Sequence, residues 1–193
     1  MCFFKKKKKA SEESDATIVG RLLGNVLYNH RRTEKRTVRV GVFNPKNAPC
    51  AFLEKTDLGP ALREDLGEEG VVLLYYVESE GELVLRLTFS YGEGSEEMKL
   101  LEECLDSIYI EEDEELILPG DVTRIHTEYV VDENDEVVDA TDVNFIAEGV
   151  EKKDVAHAAE SLVGYVFDWL DTVYEAFEEE FGEGDFDEDE DEE

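Results

Sequence analysis

Between residues 83 and 91 every second residue is large and apolar: Leu83, Leu85, Leu87, Phe89 and Tyr91. Period-two spacing puts all five on one side of a β-strand. Such a strand needs neighbours to pair its backbone and a second layer to cover its apolar side. The chain supplies that cover near its C-terminal end. An amphipathic helix is predicted from about Glu151 to Phe181, with Val155, Ala159, Leu162, Val166, Trp169, Val173 and Phe177 in line. Tyr165, Leu170 and Tyr174 widen the stripe, and Phe167 falls off it.

The other elements follow from the same two periods. Val19, Leu22, Leu23, Val26 and Leu27 mark a helix that starts near Thr17, with Asp15 or Thr17 as its cap. Gly20 and Gly24 lie four apart and open one side of it to close backbone approach. Thr37–Phe43 alternates, Asn44–Asn47 is a turn, and Ala51–Leu53 begins a return strand. Leu58–Leu66 is a short helical candidate. The continuously apolar run Val71–Val77 reads as a central strand covered on both faces. After Gly94, Ser95 caps a helix with Met98, Leu101, Leu105 and Ile108 on one face. Glu111–Glu115 reads as an acidic loop. A hairpin follows, with Ile125–Val131 and Val143–Ala147 as its arms and a bulge expected near Thr141–Asp142.

Hairpin, glycine and helix therefore occur in the same order at 71–108 and at 123–177, with Glu-Gly pairs at 93–94 and 148–149. The fold class expected is α+β: an antiparallel sheet of hairpins with helices packed on one face, and a ββα layout occurring twice. Residues 1–14 read as a flexible basic arm, 15–181 as one domain and 182–193 as a disordered acidic tail.

Charge is distributed unevenly. Residues 1–50 hold 12 Lys+Arg and 4 Asp+Glu, a balance of +8, while residues 51–193 hold 7 and 47, a balance of −40; together they give the net −32. An acidic body of this kind repels nucleic-acid phosphates and anionic lipid over most of its area, so neither is expected as a partner. The basic segment, including Lys5–Lys9, is read as lowering self-repulsion beside that body, in preference to touching a membrane or RNA.

Catalysis finds no motif. His30, His126 and His157 are scattered, and neither H-E-x-x-H, G-x-S-x-G nor a P-loop occurs. Asp185, Asp187 and Asp189 start like a calcium loop, but Glu190 stands where a glycine is required. No metal, cofactor or catalytic residue is expected. Cys2, Cys50 and Cys104 are odd in number and widely spaced, which fits a reducing compartment. Lysines follow Met1–Phe4 where a signal peptide would need an apolar stretch, and no apolar run reaches the ~20 residues of a membrane span. A cytoplasmic location without an integral membrane segment is expected.

Tyr129–Val137, the following strand, Ala147-Glu148-Gly149 and the long helix together resemble the end of the YbjN-like and type III secretion chaperone-like families. The similarity spans about Gly70–Phe181 and lies in element order and acidity. It implies a small α+β protein without catalytic residues that binds a protein client, in the chaperones as a homodimer. The function expected is thus a non-catalytic protein-binding or chaperone-like, regulatory module. The partners expected are a protein client or regulator, or a second copy forming a homodimer. Tyr165, Trp169, Val173 and Phe177 are the candidate partner-binding residues, because Trp and Tyr anchor interfaces. The alternative is an acidic nucleic-acid mimic that inhibits a basic nucleic-acid-binding protein.

Overall fold

A computed structural model describes residues 14–29, 38–43, 48–53, 72–108, 110–112, 115–132 and 134–182. The chain opens with helix α1 (Asp15–Asn29) and strands β1 (Val38–Phe43) and β2 (Ala48–Leu53). Strands β3 (Val72–Val77) and β4 (Glu82–Phe89) and helix α2 (Glu96–Asp106) follow. The short strands β5 (Ile110–Glu112) and β6 (Glu115–Ile117) precede β7 (Arg124–Val131), β8 (Val137–Ala147) and helix α3 (Val155–Phe181).

Six strands form one antiparallel sheet in the order β1-β2-β3-β4-β8-β7, while β5 and β6 pair separately. One register row runs across the whole sheet: Val40, Ala51, Leu74, Leu85, Phe145 and Ile125. Its middle four members are buried in the main core, with Leu83, Leu87 and Phe89 beside them. All three helices join that same core and so cover this one face: α1 lies on β1 and β2, α3 lies on β4 and β8, and α2 packs against α3. The architecture is α+β, and the ββα order is present twice, as β3-β4-α2 and β7-β8-α3. Gly94 and Gly149 close the two hairpins with φ of 80° and 71°, conformations that suit glycine and strain other residues.

Several boundaries differ from the sequence reading, each for a local reason. Ser14 caps α1, since its hydroxyl accepts from the Thr17 amide at 3.3 Å; Asp15 and Thr17 lie inside the helix. β2 starts three residues earlier than expected because Pro49 falls where β2 pairs with β1 alone, beyond its register with β3, so its missing N–H costs no bond there. The acidic loop contains a small hairpin, closed by the Ile110–Ile117 and Glu112–Glu115 pairs. The β7–β8 register slips between the Tyr129–Thr141 and Val131–Val137 pairs, just before the expected bulge. α3 begins at Val155, because residues 151–154 form a turn closed by the Asp154 amide on the Glu151 carbonyl. Ser95 does cap α2, accepting from the Met98 amide at 3.0 Å. The Leu58–Leu66 helix, the Asn44–Asn47 turn, the Lys5–Lys9 arm and residues 183–193 lie outside the described residues.

Candidate functional site

The aromatic stretch of α3 forms the roof of the core. Trp169, Val173 and Phe177 are buried, and Tyr165 sits partly buried at the margin. Trp169 packs on Phe145 with ring centres 5.2 Å apart, and its indole N–H donates to the Cys104 carbonyl at 3.1 Å. Phe177 stacks on Tyr91 at 5.5 Å and meets Phe181 at 5.4 Å. α3 is the middle helix of its layer, touching α1, α2 and the sheet, which explains why even Phe167, off the main stripe, is fully buried. The side of α3 that a partner can reach without unroofing the core carries other residues, among them His157, Glu160, Asp168 and Glu175.

The second face of the sheet holds a cross-strand polar cluster. Arg86 on β4 donates from Nε to the Asn144 side-chain oxygen at 2.8 Å. Its other nitrogens reach Asp142 at 3.1 Å and Glu128 at 3.4 Å. Thr88 donates to Asp142 at 2.6 Å, and Asn144 donates to the His126 carbonyl at 3.3 Å. Each group is satisfied by the next, so the cluster ties β4, β8 and β7 together. His126 lies at its exposed rim, 3.5 Å from Glu128. Among the described residues no group of three or more His, Cys, Asp or Glu could hold a metal ion. Burial pushes the Cys50 and Cys104 thiols up, which keeps them protonated and unreactive at neutral pH.

A third surface lies at the opposite side of the molecule, where α1, β1 and β2 meet. These elements are 15, 6 and 6 residues long. Acids make up 51 of 193 residues, so 27 residues drawn evenly would contain about seven. They contain one, Asp15 at the start of α1. Asp15 is engaged by Lys152 at 3.1 Å, and that ammonium also reaches Glu78 at 3.4 Å, clasping the start of α1 to the β3–β4 turn. The hydrogen bond to Asp15 raises the Lys152 pKa.

This acid-poor flank is also apolar. Of the seven large hydrophobic residues that stand exposed among the described residues, four belong to it: Ile18, Tyr28, Val40 and Val42. A groove of about 560 Å³ runs between α1 and α3, lined by Ile18, Leu22, Val26, Ala156 and Val163 together with Arg21, Asn25, Asn29 and Glu160. On its other side α1 packs closely on β1 and β2. A methyl group added at Gly20 would lie 2.9 Å from Val40 Cγ1 and 3.4 Å from the carbonyl oxygens of Cys50 and Gly41. Glycine lets the helix approach this near without displacing the Val40 side chain.

The flank was not among the candidate residues found by sequence reading. Its trace in the sequence is the run of acid-free apolar segments inside an acidic chain. Among the described residues no helix is long and apolar enough to cross a membrane. No family model, curated protein or solved structure matches the chain.

Proposed function

We propose that the chain is a non-catalytic protein-binding module, chaperone-like or regulatory in role and cytoplasmic in location, whose client docks on the flank formed by α1 and β1. The supporting observation is the coincidence of exposed apolar side chains and missing carboxylates on one side of a chain carrying −32. Exposed apolar patches with a polar rim are characteristic of contact surfaces. Depletion of charge is the compositional mark of an interface core. Ile18, Leu22, Val26, Val40 and Val42 replace the buried Trp169, Val173 and Phe177 as the side chains a client can touch first. The groove sets five aliphatic side chains among Arg21, Asn25, Asn29 and Glu160, a mixed lining that suits docking of an apolar side chain within a polar rim. The chaperone-like part of the reading rests on the resemblance in element order. A different protein is favoured over a second copy, because two chains of −32 repel each other.

A photo-crosslinking side chain placed at Ile18 or Leu22, and for comparison at the exposed Glu175 on α3, tests this in cells. Adducts at 18 and 22 and none at 175 are expected in cells, and the same pattern in a lysate irradiated in ~1 M salt, where charges are screened beyond ~3 Å. Equal adducts at all three positions would refute the flank. Adducts confined to Glu175, made with basic nucleic-acid-binding proteins and no longer formed when the lysate is irradiated in ~1 M salt, would favour the acidic-mimic reading instead.

A further inference from the structure

α1 and α3 lie side by side from a common start, where Lys152, in the turn before α3, reaches Asp15 at 3.1 Å. Each presents a row of helical spacing to the groove between them. Ile18, Leu22 and Val26 stand four residues apart on α1, a row about 12 Å long at about 1.5 Å per residue. Ala156, Glu160 and Val163 form the α3 row, about 10 Å long. Two such rows with a furrow between them are what a third helix packs into, ridge against groove. The α3 wall is low as well. Gly164 lies one turn beyond Glu160, and nothing stands within 4 Å of where its Cβ would be. Ile18 is 50% exposed, and Leu22 and Val26 are partly exposed.

The two walls differ in charge. α1 carries Asp15 and Arg21 alone. α3 carries seven acids and neither Lys nor Arg. Glu160 is exposed in the groove wall itself, and the other six lie further along the helix, from about 12 Å away. A segment entering the groove therefore meets aliphatic carbon from both helices and a negative potential along its α3 side. A second copy has no matching helix among the described residues: α1 is neutral, α2 holds Lys99 against five acids, and the charges of α3 are all acidic. We infer that the α1–α3 groove takes a basic amphipathic helix of a client protein. Its apolar stripe seats between the two rows, and its Lys or Arg side chains lie along α3 beside Glu160. This rests on the proposed function and deepens it by naming the form and charge of the client.

The test uses the full chain at physiological salt and three synthetic peptides. The first is two repeats of Leu-Lys-Lys-Leu-Leu-Lys-Leu, the second has Glu for every Lys, and the third is the lysine peptide with one leucine of each repeat replaced by proline, which breaks the helix. Binding is read from the methyl NMR signals of Ile18, Leu22 and Val26, with the exposed Val131 and Val137 of β7 and β8 as controls. The lysine helix should shift the three groove methyls and leave the controls in place. The glutamate and proline peptides should bind there at least about tenfold more weakly. Glu160→Lys, at an exposed position, should weaken the lysine helix about threefold. The pair Ile18→Gln and Leu22→Gln, checked for native circular dichroism, should weaken it about tenfold or more. Shifts spread evenly over groove and controls, equal binding by the glutamate or proline peptide, or no shift at the groove would overturn the inference. So would concentration-dependent shifts of the groove methyls in the peptide-free chain, which would make a second copy the occupant. A photo-cross-link from position 18 to another part of the same chain would overturn it too, making that part the occupant. Cross-links from Ile18 and Leu22 to a client in cells, without selectivity among the peptides, would remove this inference and leave the proposed function standing; selective binding of the lysine helix without those cross-links would do the reverse.

Discussion

Replacing Gly20 by alanine sets two known effects against each other across the α1–β1 contact. Alanine stabilises a helix interior by about 1 kcal/mol over glycine, partly by restricting the unfolded chain. The new methyl group would sit 2.9 Å from Val40 Cγ1. Carbon atoms prefer about 3.5 Å or more, so the pair is about 0.6 Å too close. Val40 is partly exposed and can turn away, at a cost of about 0.5–1.5 kcal/mol for a displaced rotamer. The two carbonyl oxygens at 3.4 Å require only slight adjustment. Gly20→Ala alone is therefore expected to be near neutral, within about 1 kcal/mol. In a Val40→Ala background the clash is gone, and the same change should stabilise by about 1 kcal/mol. The double-mutant cycle should show a coupling of about 0.5–1.5 kcal/mol by urea unfolding, with unchanged m-values. Additive effects, within about 0.3 kcal/mol, would mean that α1 does not rest on β1 as described, and the acid-poor flank would lose its geometry.

Other consequences follow from the core and the polar cluster. Trp169→Phe removes the hydrogen bond to the Cys104 carbonyl and part of the packing on Phe145, and should cost about 2–3 kcal/mol in chemical denaturation. Arg86→Met leaves Asp142 and the buried Asn144 short of their donor, and should cost about 2–3 kcal/mol while leaving the far-UV spectrum native. Stability should fall as pH rises above about 9. The Cys50 and Cys104 thiols are raised above their ordinary 9.0 by burial, so the unfolded state loses these protons first. The contribution is complete below the unfolded value and is lost as pH climbs toward the folded one. A flat stability profile from pH 8 to 10 would contradict it.

How much was legible in the sequence depended on whether the signal was local. The alternation from Leu83 to Phe89 and the stripe from Val155 to Phe177 identified β4, α3 and their mutual burial, because both periods are written in consecutive residues. Pro49 concealed the first half of β2, since its tolerance depends on which neighbouring strand reaches that level. The Arg86 cluster was equally hidden: Arg86, Asp142 and Asn144 are far apart in sequence and meet only through the β4–β8 register. Val38, Val40 and Val42 look like a core face when read alone. The placement of β1 at the sheet edge, which leaves Val40 and Val42 exposed, is decided by strand order. For the same reason the aromatic side chains of α3 looked like an anchor surface. Whether a Trp is an anchor or a roof depends on what lies beneath it, here Phe145.

Hydroxyl-radical footprinting of the chain in its own cells, compared with the purified chain, reaches the central claim most directly. The seven large hydrophobic residues exposed among the described residues provide both signal and control. Ile18, Tyr28, Val40 and Val42 should be modified in the purified chain and shielded in the cell, while Val131, Val137 and Phe181 should react alike in both. Shielding at the latter three, or none at the flank, would contradict the account.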